Sequence, residues 1–164
     1  MMLKKLFAVL LIMSVLLLSC AAMADEEFVD LNGTGLQVQL MDGFKRTELS
    51  EEDTANGMLD RFEEEKTGRI LEISLNDEPG ETLMECMEKI DGDPQYFMYG
   101  LTTSLNDTDY LSYCVNDGDI VTKYYIVIPE KGKKIQMKVT PYDTEDEKFW
   151  RPFELMFYSL RKAK

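Results

Sequence analysis

The chain has 164 residues, 45% of them hydrophobic, with 31 acidic against 18 basic residues, no histidine and a formal net charge of −13. This charge argues against binding to nucleic acid or to anionic lipid headgroups, because both are themselves negative. The lack of histidine excludes Ser-His and Cys-His catalysis and removes the commonest ligand of zinc, copper and iron. The apolar content is sufficient for the core of one domain.

The first residues have the three parts of a bacterial secretion signal. Lys4 and Lys5 form a positive start, residues 6–18 are apolar apart from one serine, and residues 22–24 (Ala-Met-Ala) have the small-x-small pattern of a cleavage site. We therefore predict that residues 1–24 are a signal peptide. The alternative is a retained anchor helix, because the apolar stretch just reaches the length that spans a bilayer.

A second processing route competes with this one at Cys20. Residues 17–20 (Leu-Leu-Ser-Cys) resemble a bacterial lipobox, in which the cysteine is lipidated and becomes the mature N-terminus. Acylation of Cys20 would hold the protein on the membrane, because more than one acyl chain anchors stably. Both routes remain open. Loss of residues 1–24 removes two lysines and leaves 16 basic against 31 acidic residues, a net charge of −15.

The first half of the exported chain alternates between strand and helix patterns. Residues 35–40 alternate apolar and polar side chains, as in a half-buried strand, and Ser50 begins a short helix with acids in its first turn. Residues 58–64 and 69–75 flank a turn and predict a β-hairpin. Apolar residues at helical spacing then predict an amphipathic helix over residues 81–90.

The second half begins with an ambiguous stretch, because the apolar residues after position 95 have no clear period. We expect residues 96–103 to be a loop that leads into a strand. Residues 110–115, 120–128 and 134–140 are separated by turn sequences and predict a three-stranded antiparallel meander.

A C-terminal helix is predicted after Thr144, its candidate N-cap, from apolar residues at steps of three and four. Pro152 lies within this stretch, so we expect a kink there or a helix that restarts with Pro152 in its first turn. No repeat or linker divides residues 25–164, which we predict to be a single α+β domain. Its antiparallel sheet has about five to seven strands and packs against the central amphipathic helix and the C-terminal helix.

Two cysteines follow the signal. Cys86 and Cys114 could form a disulfide in an exported protein, and closing that loop would contribute about 3 to 4 kcal/mol in the chain-entropy model. The alternative is two buried free thiols, because Cys86 is on the apolar face of a predicted helix and Cys114 is in a predicted strand.

Three acidic turns, at residues 91–93, 106–109 and 116–119, contain oxygen ligands of the kind that calcium loops use. None of them completes an EF-hand, and Asn, Asp and Gly are ordinary turn residues, so we predict turns without metal. With so many acids, a pair at a suitable distance carries no catalytic signal.

Aromatic residues are candidates for a groove that binds sugar or peptide, since their faces stack on such ligands. The alternative is that they border the core, because tyrosine is a good strand residue. The residues in question are Tyr96, Phe97, Tyr99, Tyr110, Tyr113, Tyr124, Tyr125 and Trp150.

The order of these patterns resembles the PsbP-like family. The resemblance rests on residues 35–40 followed by 42–44 (Asp-Gly-Phe), on 67–75, on 81–83 (Glu-Thr-Leu) at the start of a helix, and on 159–161 (Ser-Leu-Arg) at the end of the last one. It covers most of the exported chain. The resemblance implies an antiparallel sheet with helices on its faces, and a non-catalytic scaffold or assembly subunit as in some members.

From these observations we expect an exported, non-enzymatic protein, extracellular or in the bacterial cell envelope, that binds a partner protein or a small ligand. The alternative is an inhibitor or immunity-like protein that neutralises a basic partner, since the negative charge would attract one. A third, less favoured hypothesis is a carboxylate-dependent hydrolase. We predict no cofactor, no metal ligand, no catalytic residue and no nucleic-acid partner, with membrane contact only through Cys20. The pattern does not assign an oligomeric state.

Overall fold

A computed structural model describes residues 28–76, 81–130 and 133–163. The predicted signal peptide and Cys20 lie outside the described residues. Within them, the helices are α1 (Glu51–Ala55), α2 (Leu83–Ile90) and α3 (Glu147–Tyr158). The strands are β1 (Phe28–Leu31), β2 (Leu36–Gln39), β3 (Phe44–Arg46), β4 (Met58–Glu64), β5 (Arg69–Asn76), β6 (Tyr96–Thr103), β7 (Asp109–Asp117), β8 (Ile120–Glu130), β9 (Lys133–Thr140) and β10 (Arg161–Lys162).

The strands form two antiparallel sheets. The large sheet has seven strands in the order β3-β4-β5-β9-β8-β7-β6, and the small sheet has the order β1-β2-β10. The hairpin β4-β5 and the meander β7-β8-β9 join through β5 and β9, where Leu71 lies opposite Val139. This arrangement confirms the predicted α+β class, and it leaves β3 and β6 at the two edges of the large sheet.

One face of the large sheet, the first face, packs against α3 and the small sheet. Alternate residues of β5 and β9, such as Ile73 and Met137, point into this layer because side chains in a strand alternate between faces. On α3, Phe157 stacks on Tyr125 of β8 with ring centroids 3.5 Å apart. Burial of each such side chain contributes roughly 1.5 to 3 kcal/mol. The buried cluster on the first face is the larger of the two, so this face contains most of the core.

The opposite, second face is covered only in part. Helix α2 lies over β6, β7 and β8, where Ile90 packs with Leu111 and Ile126. On the neighbouring strands this face is polar, and Lys138 of β9 forms an ion pair with Glu72 of β5 at 3.1 Å. The uncovered part of the second face is therefore a solvated sheet surface.

The two cysteines lie in different layers of the molecule. Cys114 belongs to the cluster on the first face, Cys86 belongs to the cluster under α2, and both are buried free thiols. The sheet lies between the two clusters, so Cys86 and Cys114 are not bridged in this structure. Of the two alternatives that the sequence left open, this arrangement corresponds to two buried thiols.

Strand β6 is longer than the sequence predicted. The sequence predicted a loop at its start, whereas the structure has a strand whose pairing with β7 shifts register between Phe97 and Gly100. Met98, inside this bulge, has a φ of 49°, in the left-handed region. An extra residue at a bulge interrupts the alternation of faces, and this removes the period-two signal from an otherwise apolar strand.

The ends of the chain also differ from the prediction. Strands β1 and β10 pair with β2 in a small sheet that the sequence pattern did not reveal.

Asp146, and not Thr144, is the N-cap of α3, and its side chain accepts a hydrogen bond from the Lys148 backbone at 3.0 Å. Pro152 lies inside α3 beyond its first turn, so the helix does not restart there. No helix in the described part of the chain has the length and apolar character needed to cross a bilayer.

Candidate functional site

Exposed hydrophobic side chains gather around β6. Eight large hydrophobic side chains are exposed among the described residues, and seven of them lie on β6 or on the segments beside it. We call these seven, together with the outer edge of β6, the β6 edge surface. The seven are Met84, Met98, Tyr99, Leu101, Leu105, Leu155 and Tyr158, whereas the eighth, Ile120, lies at the start of β8.

The end of β6 meets the C-terminal part of α3. The backbone N–H of Leu105, in the turn after β6, donates a hydrogen bond to the carbonyl oxygen of Tyr158 at 2.9 Å. Leu155 precedes Tyr158 by three residues, which places both on one side of the helix. Leu105 is 72% exposed and Leu155 is 61% exposed, so this junction presents apolar side chains to water.

The other side of β6 meets α2. The hydroxyl of Tyr99 donates a hydrogen bond to Asp91 Oδ1 at 2.6 Å, just after the end of α2. Met84 precedes Asp91 by two helical turns and therefore lies on the same side of α2. Leu101 of β6 pairs with Leu111, which packs under that helix. Tyr99, Leu101 and Met84 thus flank β6 on the second face.

The outer edge of β6 has no neighbouring strand among the described residues, because β6 is the last strand in the order of the large sheet. Its backbone N–H and C=O groups on that side are open to another strand. From Gly100 to Thr103 the pairing with β7 continues without a shift. The opposite edge strand, β3, is only three residues long. The β6 edge is therefore the better template for pairing.

A buried polar network holds the bulge of β6. Lys123, 3% exposed, extends from β8 on the first face, and its Nζ donates to the Met98 carbonyl oxygen at 3.2 Å. The same Nζ lies 3.6 Å from Glu154 Oε1 of α3. That oxygen also accepts hydrogen bonds from the hydroxyls of Tyr125 and Tyr142, each at 3.2 Å. The network links β6, the sheet and α3.

The tyrosines of this region remain protonated near neutral pH. Burial, followed by the charge of Glu154, raises the pKa of Tyr110 to about 12. The same two causes raise the pKa values of Tyr125 and Tyr142 well above the ordinary value. The hydroxyls of Tyr125 and Tyr142 donate hydrogen bonds to Glu154, and all three tyrosines fit a positioning role better than proton transfer.

Acidic side chains border both ends of β6. Asp91 and Asp93 precede the strand, Asp107 and Asp109 follow it, and all four are exposed. An apolar strip between two acidic ends favours a partner with apolar and basic side chains. This charge pattern and the open backbone edge are the two chemical properties of the β6 edge surface.

The predicted aromatic groove is divided between two layers. Tyr110 and Tyr125 are buried on the first face, whereas Tyr113 stacks on Tyr124 on the second, with ring centroids 5.1 Å apart. The aromatic candidate at the β6 edge is Tyr99. Leu105 belongs to no periodic pattern in the sequence, and its place in a polar turn, between Ser104 and Asn106, is the one sequence signal of its exposure.

The acidic turns do not come together. Within residues 28–76, 81–130 and 133–163, no group of three or more acidic or cysteine side chains could hold a metal ion. Asp93 acts as a turn residue, since its Oδ1 accepts a hydrogen bond from the Gln95 backbone at 3.1 Å.

Comparison with known proteins supports the fold alone. No protein-family model matches the chain, and no curated protein matches it. A crystal structure from Bacteroides thetaiotaomicron VPI-5482 is similar, with a TM-score of 0.52 and 11% sequence identity. The match covers 84% of this chain and 48% of the other, so the chain spans about half the length of that neighbour.

Proposed function

We propose that this chain is an exported, non-enzymatic protein of the bacterial cell envelope that binds an extended segment of a partner protein along β6. The observation that carries the proposal concerns the described part of the chain: seven of its eight exposed large hydrophobic side chains surround β6, an edge strand with no neighbouring strand there on its outer side. Monomeric proteins normally protect such an edge, so its exposure supports a binding role.

The mode of binding is addition of a strand to the large sheet. Backbone hydrogen bonds from Gly100 to Thr103 supply affinity, and pockets between alternate side chains supply specificity. Leu101 would contact apolar side chains of the partner on the second face. Leu105 and Leu155 would contact the part of the segment that passes the end of the strand.

The charge pattern selects the chemistry of the partner. Asp91 and Asp93 at one end of β6, and Asp107 and Asp109 at the other, attract a segment that contains lysine or arginine. The same acids oppose pairing with a second copy of this chain, because antiparallel β6 strands would bring like charges together. We therefore commit to a partner segment that combines apolar and basic residues.

The same surface supports the second candidate, an inhibitor or immunity-like protein. The acidic ends of β6 favour this reading, because a basic target would be attracted at long range and held by the apolar strip. The proposal of export depends on the signal pattern of residues 1–24, and the proposal of a membrane anchor depends on acylation of Cys20. The resemblance to PsbP-like proteins remains a prediction, and a scaffold or assembly subunit would be compatible with either role.

The experiment uses a decapeptide of alternating lysine and valine and a control decapeptide with glutamate in place of lysine. Binding is measured by fluorescence anisotropy for the native protein and for two variants, Leu101→Asp and Ile120→Asp. Both substitutions replace an exposed strand residue and add the same charge, but Ile120 lies away from β6. We expect the lysine peptide to bind the native protein and Ile120→Asp, and to lose at least about tenfold in affinity for Leu101→Asp.

Hydrogen exchange supplies the second measurement. The bound lysine peptide should protect backbone amides within residues 100–103. Equal binding of the glutamate peptide, or equal loss in both variants, would contradict the proposal. Formation of a dimer through β6 in sedimentation experiments, without peptide, would replace the partner segment by a second copy.

A further inference from the structure

One glycine of the β6 edge surface is not required by the conformation of the backbone. Eight glycines lie in the described part of the chain, and seven of them have a positive φ, which favours glycine. Gly100 of β6 is the eighth, and its φ lies outside the left-handed region. The left-handed residue of the nearby bulge is Met98, so the bulge does not require glycine at position 100.

Close packing does not require this glycine either. A Cβ atom at Gly100 would meet no atom of the described chain within 4 Å, apart from its chain neighbours. At Gly57, by contrast, a Cβ atom would lie 3.1 Å from the carbonyl oxygen of Leu75. Glycine weakens the interior of a strand, because it loses more conformational freedom on folding than other residues. No contact in the described part of the chain offsets this effect at Gly100.

The space beside Gly100 lies on the first face of the large sheet. Gly100 is opposite Ser112 of β7, and Ser112 is opposite Tyr125 of β8. Residues directly opposite each other have their side chains on the same face, and Tyr125 stacks on Phe157 of α3 on the first face. We call the open space where a side chain at position 100 would lie the Gly100 gap.

Helix α3 reaches β6 on both sides of the Gly100 gap. Before Gly100, the Nζ of Lys123 joins the bulge of β6 to Glu154 Oε1, which is 3.6 Å away. After Gly100, the backbone N–H of Leu105 donates a hydrogen bond to the Tyr158 carbonyl oxygen at 2.9 Å. The last turn of α3 therefore borders the gap.

This border is apolar. Leu155 and Tyr158 belong to the last turn of α3, and their side chains are 61% and 38% exposed. An aromatic ring of a neighbouring strand commonly covers a glycine at the edge of a sheet. A ring over Gly100 would cover the backbone that glycine leaves open and would contact Leu155 and Tyr158. Such a ring would bury about 150 to 250 Å² of its own surface.

We propose that Gly100 determines the specificity of the β6 edge surface, and that the Gly100 gap accepts an aromatic side chain of the partner segment. In a strand added to the outer edge of β6, the residue opposite Gly100 has its side chain on the first face. This inference rests on the proposed function and deepens it. The partner segment then combines apolar and basic residues with an aromatic residue at that position.

Two derivatives of the lysine-valine decapeptide test the aromatic side chain. One central lysine is replaced by phenylalanine in the first and by leucine in the second, so the two have equal charge. Lysine and valine side chains lie on opposite faces of an added strand, so with the valines against Leu101 the replaced residue lies on the first face. By fluorescence anisotropy with the native protein, we expect the phenylalanine derivative to have a dissociation constant about three- to tenfold lower than that of the leucine derivative.

Substitutions on β6 locate the ring. Gly100→Val fills the gap and should reduce the ratio of the two dissociation constants to less than about twofold. Thr102→Val introduces the same side chain at the next position on the same face and should keep the native ratio. An unchanged ratio in Gly100→Val, or an equal fall in both variants, would contradict the assignment of the ring to the Gly100 gap.

Urea unfolding shows, independently of binding, whether the fold requires this glycine. Gly100→Ala should unfold at the same urea concentration as the native protein or at a higher one. Gly57→Ala is the control, because the φ of 81° and the nearby Leu75 carbonyl oxygen make a side chain unfavourable there, so its midpoint should fall. A midpoint for Gly100→Ala as low as that of Gly57→Ala would show that the fold itself needs Gly100, and this would overturn the inference.

The results also separate this inference from the proposed function. Equal binding of the two derivatives, with protection of the backbone amides within residues 100–103, would overturn the aromatic specificity and leave strand addition at β6 in place. Failure of every decapeptide to bind would overturn both. Tight binding of the phenylalanine derivative without protection of residues 100–103 would also overturn the inference, because the ring would then be bound elsewhere.

Discussion

The buried Nζ of Lys123 donates a hydrogen bond to the carbonyl oxygen of Met98 at 3.2 Å, and so joins the centre of the sheet to the bulge of its edge strand. Met98 has a left-handed φ of 49°, which is uncommon for a residue other than glycine. A bulge in an edge strand normally hinders pairing with another chain. Here the bulge lies near the start of β6 and leaves the regular part, Gly100 to Thr103, open.

Replacement of Lys123 by methionine should therefore destabilise the protein and loosen β6. The variant leaves the Met98 carbonyl without its buried donor, which costs about 1 to 3 kcal/mol, and it removes an ion-pair partner from Glu154, whose side chain is 34% exposed and adds less than about 1 kcal/mol. Urea unfolding measures the loss, and faster hydrogen exchange within residues 97–100 locates it. The matched control is Lys138→Met, whose ion pair with Glu72 is partly exposed and should cost less than about 1 kcal/mol. Equal losses in the two variants would argue against a special role for Lys123.

Two residues of α3 should separate stability from binding. Phe157 is 1% exposed and stacks on Tyr125, so Phe157→Ala should cost about 3 to 5 kcal/mol of unfolding free energy. Leu155 points to water, so Leu155→Ala should change stability by less than about 0.5 kcal/mol. Leu155→Ala should nevertheless weaken binding of the lysine-valine decapeptide. A large stability loss in Leu155→Ala would show that this side chain belongs to the core.

The elements with a regular period could be predicted from the sequence. The hairpin β4-β5, the meander β7-β8-β9 and helices α2 and α3 each repeat an apolar position over enough residues to identify their type. The small sheet could not be predicted, because β10 is two residues long and pairs Arg161 with Gln37 from the other end of the chain. Local patterns contain no information on such a pairing.

The candidate site depended on the strand order, which the sequence does not give. Leu101 and Leu111 have the same apolar character, but β6 is an edge strand and β7 is internal, so only Leu101 is exposed. Likewise, the pairing of β5 with β9 buries Leu71 against strands far away in the chain. Exposure at β6 is a property of the assembled sheet.

Alkaline pH should destabilise the protein from about pH 9 upward. Burial raises the pKa of Cys86 and of Cys114 to about 11, from an ordinary value of 9, and raises the pKa of Tyr110 to about 12 from 10. Between the two values of each group, the unfolded chain has lost the proton and the folded protein has kept it. Stability is therefore fully present below the unfolded pKa and falls as pH rises, by about 1.4 kcal/mol per pH unit for each such group. Denaturant unfolding at pH 8, 9 and 10 would test this, and a stability that is constant from pH 8 to 10 would contradict it.

The two buried thiols should be protected in the folded protein. A thiol reagent at pH 8 should not react with native protein and should modify both Cys86 and Cys114 after unfolding in urea, because burial removes access and raises both pKa values. Mass spectrometry after alkylation counts the modified cysteines. Cys86→Ser and Cys114→Ser, tested singly, distinguish the two sites. A native mass two daltons below that of the reduced protein would show a disulfide in place of the two free thiols.

The processing route can be decided by the mass of the protein recovered from a bacterial host of the native type. Cleavage after residue 24 predicts an N-terminus at Asp25 and a protein that contains two cysteines. Cleavage before Cys20 predicts an acylated N-terminal cysteine and recovery with the membrane fraction. Cys20→Ser separates the routes, because it should abolish acylation and leave cleavage after residue 24 intact. Recovery of unmodified protein that begins at Met1, in a soluble cytoplasmic fraction, would refute export and with it a role in the cell envelope.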